Sequence, residues 1–220
     1  MALNLIKKNV LVLLAEGFEL METSCFTDVL AWASFQNHVD IKLTTSSTTG
    51  TVKSAFGNFN ITTDSTIAAL NLDSFDALAI PGGMEWAGFF ENSLSEEFID
   101  VVKHFIAQKK PIAAVCVASR CIAKSGQFAG REATIYHSQT GKHKAKLESM
   151  GVKFVDQPIV ESANVITSTG PGTAVEVALA LLGKLTDEST VQATRQMMRI
   201  PHPNKDWYQP QVQCITPTSR

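Results

Sequence analysis

The chain has little of what the commonest binding modes require. Lys and Arg number 19 against 21 Asp and Glu in 220 residues, a net charge of -2, and no basic run gives an electrostatic footprint for nucleic acid. The clustered Lys142, Lys144 and Lys146 read as one solvated helix face. No apolar stretch approaches the roughly 18 residues needed to span a bilayer. The amino terminus, Met-Ala-Leu-Asn-Leu-Ile-Lys-Lys, has neither the apolar core nor the cleavage site of a secretory signal. A cytoplasmic protein that engages no membrane and no nucleic acid is the expectation. The cysteines, Cys25, Cys116, Cys121 and Cys214, form no Cys-x-x-Cys pair, and no histidine stands at metal-ligand spacing. A structural zinc, a redox dithiol of that type and a metal site are therefore not expected, and free thiols in a reducing compartment fit better. Gly170-Pro-Gly172 lacks the Walker lysine and the full dinucleotide fingerprint, so no nucleotide cofactor is expected.

What is present is a core. With 45% hydrophobic and 18% charged residues the chain can bury one substantial interior, and it shows no repeat or low-complexity linker. Strand-like apolar runs at Asn9–Leu14, Val39–Thr45, Ala77–Ile80, Pro111–Val115, Glu132–Tyr136 and Val165–Thr167 alternate with helix-like stretches. That order predicts an α/β sandwich with a mostly parallel sheet between helices. Ser93-Leu-Ser-Glu96 and Thr173-Ala-Val-Glu176 each read as a capping box opening a helix. The Thr44–Thr66 stretch suggests edge strands or a hairpin. One domain over residues 1–196 is expected, followed by an irregular tail over 197–220, where no hydrophobic period survives.

The chemistry gathers at strand-to-helix turns. Cys116 follows the apolar run Pro111-Ile-Ala-Ala-Val115 and precedes a helix-like segment, and ligands of parallel sheets bind in the crevice beyond the strands' carboxyl ends. A small buried hydrophobe is the plain alternative for such a cysteine. A second turn, Ala79-Ile-Pro-Gly-Gly83, points to the reactive reading, because amides of Gly82, Gly83 and Val117 converging on one point would form an oxyanion hole. Glu22, one turn after the first strand, complements a helix dipole in any case, but its turn opens onto the same edge. An ionised Glu22 beside the sulfur would oppose thiolate formation, whereas a protonated one would donate a hydrogen bond to it. The helix amino terminus alone lowers a thiol by roughly one pKa unit. His137 ends the Glu132–Tyr136 run and is either a crevice residue or a surface one; His143 lies on the following helix face.

Taken together, Leu14-Ala-Glu-Gly-Phe-Glu-Leu-Met-Glu22, Asp28-Val-Leu, Ala79-Ile-Pro-Gly-Gly83, Ala113-Ala-Val-Cys116 and Ser168-Thr-Gly-Pro-Gly-Thr173 resemble the ThiJ/PfpI superfamily. The resemblance is strongest to the clade around the Parkinson-disease-associated deglycase, and it covers about Asn9 to Leu185. It implies a flavodoxin-like three-layer sandwich akin to class I glutamine amidotransferases, a homodimer, and a reactive Cys116 partnered by Glu22. It further implies oxyanion amides at Gly83 and Val117 and a pocket histidine at His137. Departures stand at Val117-Ala-Ser119, where the clade has Ala-Gly-Pro, at Leu20 for a glutamate, and at Ala31-Trp32 for paired arginines. Val117 also replaces the histidine that follows the cysteine in the peptidase-like branch, so a peptidase or amidohydrolase reading ranks low.

The expected function is cofactor-free conversion of a small aldehyde, a 2-oxoaldehyde such as methylglyoxal, to a hydroxy acid, as a glyoxalase or a deglycase. Cys116 would form a hemithioacetal, Glu22 would move a proton between adjacent carbons, and His137 would orient the substrate oxygen or a water. The alternative is a redox-sensing, chaperone-like protective protein that responds through oxidation of Cys116.

Overall fold

The computed structural model describes residues 5–138 and 140–204. In chain order its elements are β1 (Ile6–Leu13), α1 (Leu20–Ala33), β2 (Val39–Ser47), β3 (Thr51–Lys53), β4 (Asn60–Thr62), β5 (Ser65–Thr66), β6 (Ala77–Ile80), α2 (Phe89–Ser93) and α3 (Glu96–Ala107). They continue with β7 (Ile112–Ala114), α4 (Ser119–Lys124), β8 (Glu132–Ala133), α5 (Lys142–Ser149), β9 (Lys153–Phe154), β10 (Ile159–Ser162), β11 (Val165–Ser168), α6 (Ala174–Leu185) and α7 (Glu188–Met197). The main sheet runs β10-β11-β7-β6-β1-β2-β5, parallel throughout except for the antiparallel edge strand β10.

Strand order and handedness fix the layers. From β1 the chain moves outward to β2 through α1, whereas from β6 it moves the opposite way to β7 through α3. Right-handed crossovers therefore put α1 and α3 on opposite faces. In agreement, α1 packs with α6 and α7, while α3 packs with α4, which contacts α5. The α/β sandwich expected from the alternating runs is what forms. Covered on both faces, β6 is buried at every residue, which is why it reads as an unbroken apolar run. The order reverses between β1 and β6, so the ligand crevice lies beyond the carboxyl ends of these strands and of β7.

Several expectations are corrected. The run Glu132–Tyr136 does not join the main sheet: only Glu132 and Ala133 pair, with Lys153 and Phe154. Beyond them Thr134 N donates to Thr167 Oγ1 (3.0 Å) and Tyr136 N to the Cys116 carbonyl (3.3 Å), so this backbone braces its neighbours instead of extending a ladder. Ser93 ends α2, and the cap of α3 is Ser95, which accepts from Phe98 N. Thr173 does not cap α6; its hydroxyl donates to Gly170 O (2.7 Å), and Glu176 pairs instead with Arg195. The Thr44–Thr66 stretch does contain a hairpin, β3 against β4, with β5 on the sheet edge. Of the expected tail, Pro201 O accepts from Arg195 Nη1 (3.0 Å); residues 205–220, Cys214 among them, lie outside the described residues.

Among the described residues no helix is long and apolar enough to cross a membrane, and no cluster of three or more His, Cys, Asp or Glu side chains is placed to hold a metal ion.

Candidate active site

Three turns at the carboxyl edge build the site. After β7 the chain bends so sharply that Cys116 takes a left-handed backbone, φ 60°. For a side chain with a Cβ this conformation costs of order 1–3 kcal/mol and persists only where the surroundings impose it. Here Tyr136 N holds the Cys116 carbonyl, and Cys116 opens a 3-10 turn, Cys116–Ala118, that leads into α4. The thiol is thereby presented at the floor of a cavity of about 330 Å³, with the residue 8% exposed.

Glu22 comes from the second turn of chain, on α1, and is 0% exposed. Its Oε2 accepts from Gly82 N at 2.6 Å. Oε1 is buried with no hydrogen-bond partner within normal distance, and the neighbouring Cys116 thiol, a weak donor, only slightly favours the ionised carboxyl. Burial raises the Glu22 carboxyl from its ordinary 4.5 to about 8, against the opposing effect of the Gly82 amide. The acid is therefore mostly protonated at neutral pH.

Burial also pushes the Cys116 thiol well above its ordinary 9.0, followed by the charge of an ionised Glu22, and both outweigh the Val117 N–H that donates toward the sulfur. The helix amino terminus thus does not yield a preformed thiolate, contrary to the sequence expectation, because loss of water around the sulfur costs the anion more than the helix end returns. The two groups titrate as a pair.

The third turn supplies the glycines, and here the sequence expectation needs correction. The Gly82 amide is committed to Glu22 and is not part of an oxyanion hole. Gly82 matters for space: a Cβ there would lie 2.8 Å from Val115 O, 2.9 Å from the Cys116 Cβ and 3.0 Å from Glu22 Oε2. Gly82→Ala should drive the thiol and the carboxyl apart and lower turnover by roughly 100-fold, the usual cost of a misplacement near 1 Å. Initial rates on purified protein check this, and a rate within a few-fold of the parent contradicts it. Gly83 sits between the hydrogen bonds Glu19 N to Gly82 O and Met84 N to Gly17 O, so its own N–H stays out of that bridge and Gly83 lines the cavity, as does Val117.

His137 is not in the cavity. Its Nδ1 pairs with Ile135 O (2.9 Å), its Nε2 lies 3.3 Å from Asp156 Oδ1, and its ring packs on Phe154, on the side of β9. Tyr136 and His143 line the cavity instead, together with Phe56, Trp86 and Phe90. The His143 ring lies between Phe90 (5.8 Å) and Tyr136 (6.3 Å), and its Nδ1 is buried without a partner. Burial and then the nearby Arg120 charge lower its pKa, so the imidazole is neutral at physiological pH. Nothing in Lys142-His143-Lys144 signals this, because its ring neighbours come from two other segments. The remaining described cysteines are poor nucleophiles: burial pushes Cys121 to about 12 and Cys25 to about 11.

Similarity to known proteins bears on this arrangement. The chain is 33% identical over 189 residues to protein dj-1beta of Drosophila melanogaster, covering 84% of this chain and 93% of that protein. It is 35% identical over 132 residues to the glutathione-independent glyoxalase DJ-1 of Schizosaccharomyces pombe, covering 58% of this chain and 63% of that protein. The fold matches the crystal structure of Drosophila melanogaster DJ-1beta with a TM-score of 0.77 at 31% identity, over 89% of this chain and 100% of the other. The DJ-1/PfpI family model matches residues 8–184, and the chain belongs to the DJ-1/PfpI family.

Proposed function

We propose that the chain converts 2-oxoaldehydes to 2-hydroxy acids, with Cys116 as nucleophile and Glu22 as proton carrier. One observation carries this reading: a fully buried carboxyl, fixed through one oxygen by Gly82 N and unpartnered at the other, stands beside a thiol at the floor of a cavity. The name glyoxalase borne by the Schizosaccharomyces pombe relative supports it.

The pair loses its first proton from Glu22, and the reactive form is the tautomer in which the sulfur has passed its proton to that carboxylate, a thiolate beside a protonated Glu22. Sulfur adds to the aldehyde carbon, the carbonyl π pair moves to oxygen, and that oxygen takes the Glu22 proton to give a hemithioacetal. Glu22, now ionised, removes the hydrogen from C1 as a proton, leaving an enediolate with its charge on the C2 oxygen; Glu22 returns the proton to C2 and the C1 hydroxyl proton passes to the C2 oxygen, leaving a thioester of the hydroxy acid. Water cleaves the thioester, releasing the acid and restoring the thiol. Amides of Gly83 and Val117 stabilise the oxyanion of that last step. His143 and Tyr136, which occupy the cavity, take the orienting role that the sequence assigned to His137.

Because the pair must lose a proton first, kcat/KM should rise about tenfold per pH unit below pH 8 and level off above it. Initial rates of lactate formation from methylglyoxal measure this. A rate independent of pH between about 6 and 8 contradicts the assignment, and no turnover at any pH ends the enzymatic reading. The redox-sensing alternative requires an accessible low-pKa thiol, and burial of Cys116 works against that. It would gain the ground if mild peroxide added two oxygens selectively at Cys116 in a protein that turns over no aldehyde.

A further inference from the structure

The cavity is larger and more apolar than methylglyoxal demands. Its volume of about 330 Å³ falls in the range of roughly 300–1,000 Å³ typical of pockets for drug-sized ligands, whereas methylglyoxal has only three carbons. One end holds the thiol and the buried carboxyl. Much of the remaining wall is aromatic: Phe56, Trp86, Phe90 and Tyr136.

Two of these rings are largely exposed. Phe56, in the loop between β3 and β4, is 54% exposed, and Trp86, in the 3-10 turn Glu85–Ala87 after β6, is 66% exposed. Side chains this large and apolar are usually buried. Instead the two meet over the cavity in an edge-to-face pair, centroids 5.6 Å apart at 67°, although they come from segments 30 residues apart (86 minus 56). Phe90 is backed by the Arg120 guanidinium, 3.8 Å from the ring centroid, which keeps its position in the wall.

The charges of the lining point the same way. Among the described residues its acids besides the protonated Glu22 are Glu19 and Glu85, Glu85 is paired with Lys142 (2.8 Å), and no lysine or arginine lines the cavity. A substrate with its own carboxylate or phosphate would meet acids and aromatic rings, since the cations beside the cavity, Arg120 and Lys142, are engaged by the Phe90 ring and by Glu85. A neutral molecule with a flat apolar body displaces water from such walls and gains edge or face contacts with the rings.

We propose that the preferred substrate is a neutral 2-oxoaldehyde bearing an aromatic group, with Phe56 and Trp86 as specificity-determining residues. This rests on the reading of Cys116 and Glu22 as the reacting pair. The reaction is the same internal redox: the aldehyde carbon is oxidised to the acid, the ketone carbon is reduced to the alcohol, and one water is consumed. Phenylglyoxal gives mandelate.

The test compares phenylglyoxal, methylglyoxal and tert-butylglyoxal as substrates of the full chain. A single methylene in an apolar pocket changes kcat/KM by about 10–200-fold, so phenylglyoxal should exceed methylglyoxal by at least about 100-fold and tert-butylglyoxal by about tenfold. Trp86→Ala and Phe56→Ala should each reduce the phenylglyoxal-to-methylglyoxal ratio by about tenfold. Equal kcat/KM for the three aldehydes, or a ratio unmoved by both substitutions, overturns this inference while leaving the reaction assignment intact. Binding of the unreactive neutral analogue 2-hydroxyacetophenone, followed by tryptophan fluorescence against hydroxyacetone as control, separates the two failures. If no aldehyde turns over but the analogue binds and Phe56→Ala weakens it about tenfold, aromatic recognition stands and the reaction assignment falls. If neither turnover nor binding is seen, both are overturned.

Discussion

Cys116→Ser is expected to abolish hydroxy-acid formation, with kcat falling by roughly 10⁴-fold or more, the scale at which loss of a nucleophile is felt. The alcohol is far less acidic than the thiol, and the neighbouring Glu22, protonated through burial up to about 8, offers it no base at neutral pH. Oxygen in place of sulfur fits the same space and leaves the backbone demand at φ 60° unchanged, so the variant should fold as the parent does. Following lactate from methylglyoxal in parent and variant measures the effect, with circular dichroism as the folding control. Equal turnover in the two proteins removes the sulfur from the mechanism.

Glu22→Gln should separate activity from stability, moving them in opposite directions. Glutamine can accept Gly82 N and present an NH₂ toward the sulfur, so it imitates the protonated acid. It cannot carry a proton between carbons, and turnover should fall by about 10²–10⁴-fold. For stability the sign follows from linkage. The folded-state pKa of Glu22 lies above its unfolded value, so between pH 4.5 and about 8 the native chain holds more protons than the unfolded one. Stability is therefore lost as pH rises through that window. At about 1.4 kcal/mol per pH unit the loss is roughly 3 kcal/mol at pH 7 and is complete above the folded-state value. Glutamine has no charge to desolvate, so Glu22→Gln should be several kcal/mol more stable near pH 8 and nearly equal to the parent near pH 5. Urea unfolding at both pH values checks this. A variant less stable than the parent near pH 8 would show that Glu22 is stabilised as a carboxylate, and the proton-carrier role would fall with it.

The physical basis of both predictions is one arrangement, an acid and a thiol kept out of water beside each other. Each would be ionised or inert in isolation, and burial makes their titrations interdependent. Strain at Cys116 and the orphaned Glu22 Oε1 are departures from local stability rules that meet at this one place in the fold.

Much was legible in the amino-acid order. Apolar runs such as Ala77–Ile80 and the turn glycines at 82 and 83 predicted a parallel sheet whose turns share one edge, because fully covered strands need unbroken apolar runs and close approaches need glycine. Cys116, Glu22, Gly83 and Val117 all line the cavity for that reason. Tertiary structure decided what depends on neighbours from distant segments. It gave the Gly82 amide to Glu22, turned His137 toward Asp156 and Phe154, and brought His143 and the Phe56–Trp86 pair to the cavity. It also reversed the expected direction of the thiol's pKa, since a helix amino terminus is a local feature readable from sequence, while desolvation depends on everything packed around the atom.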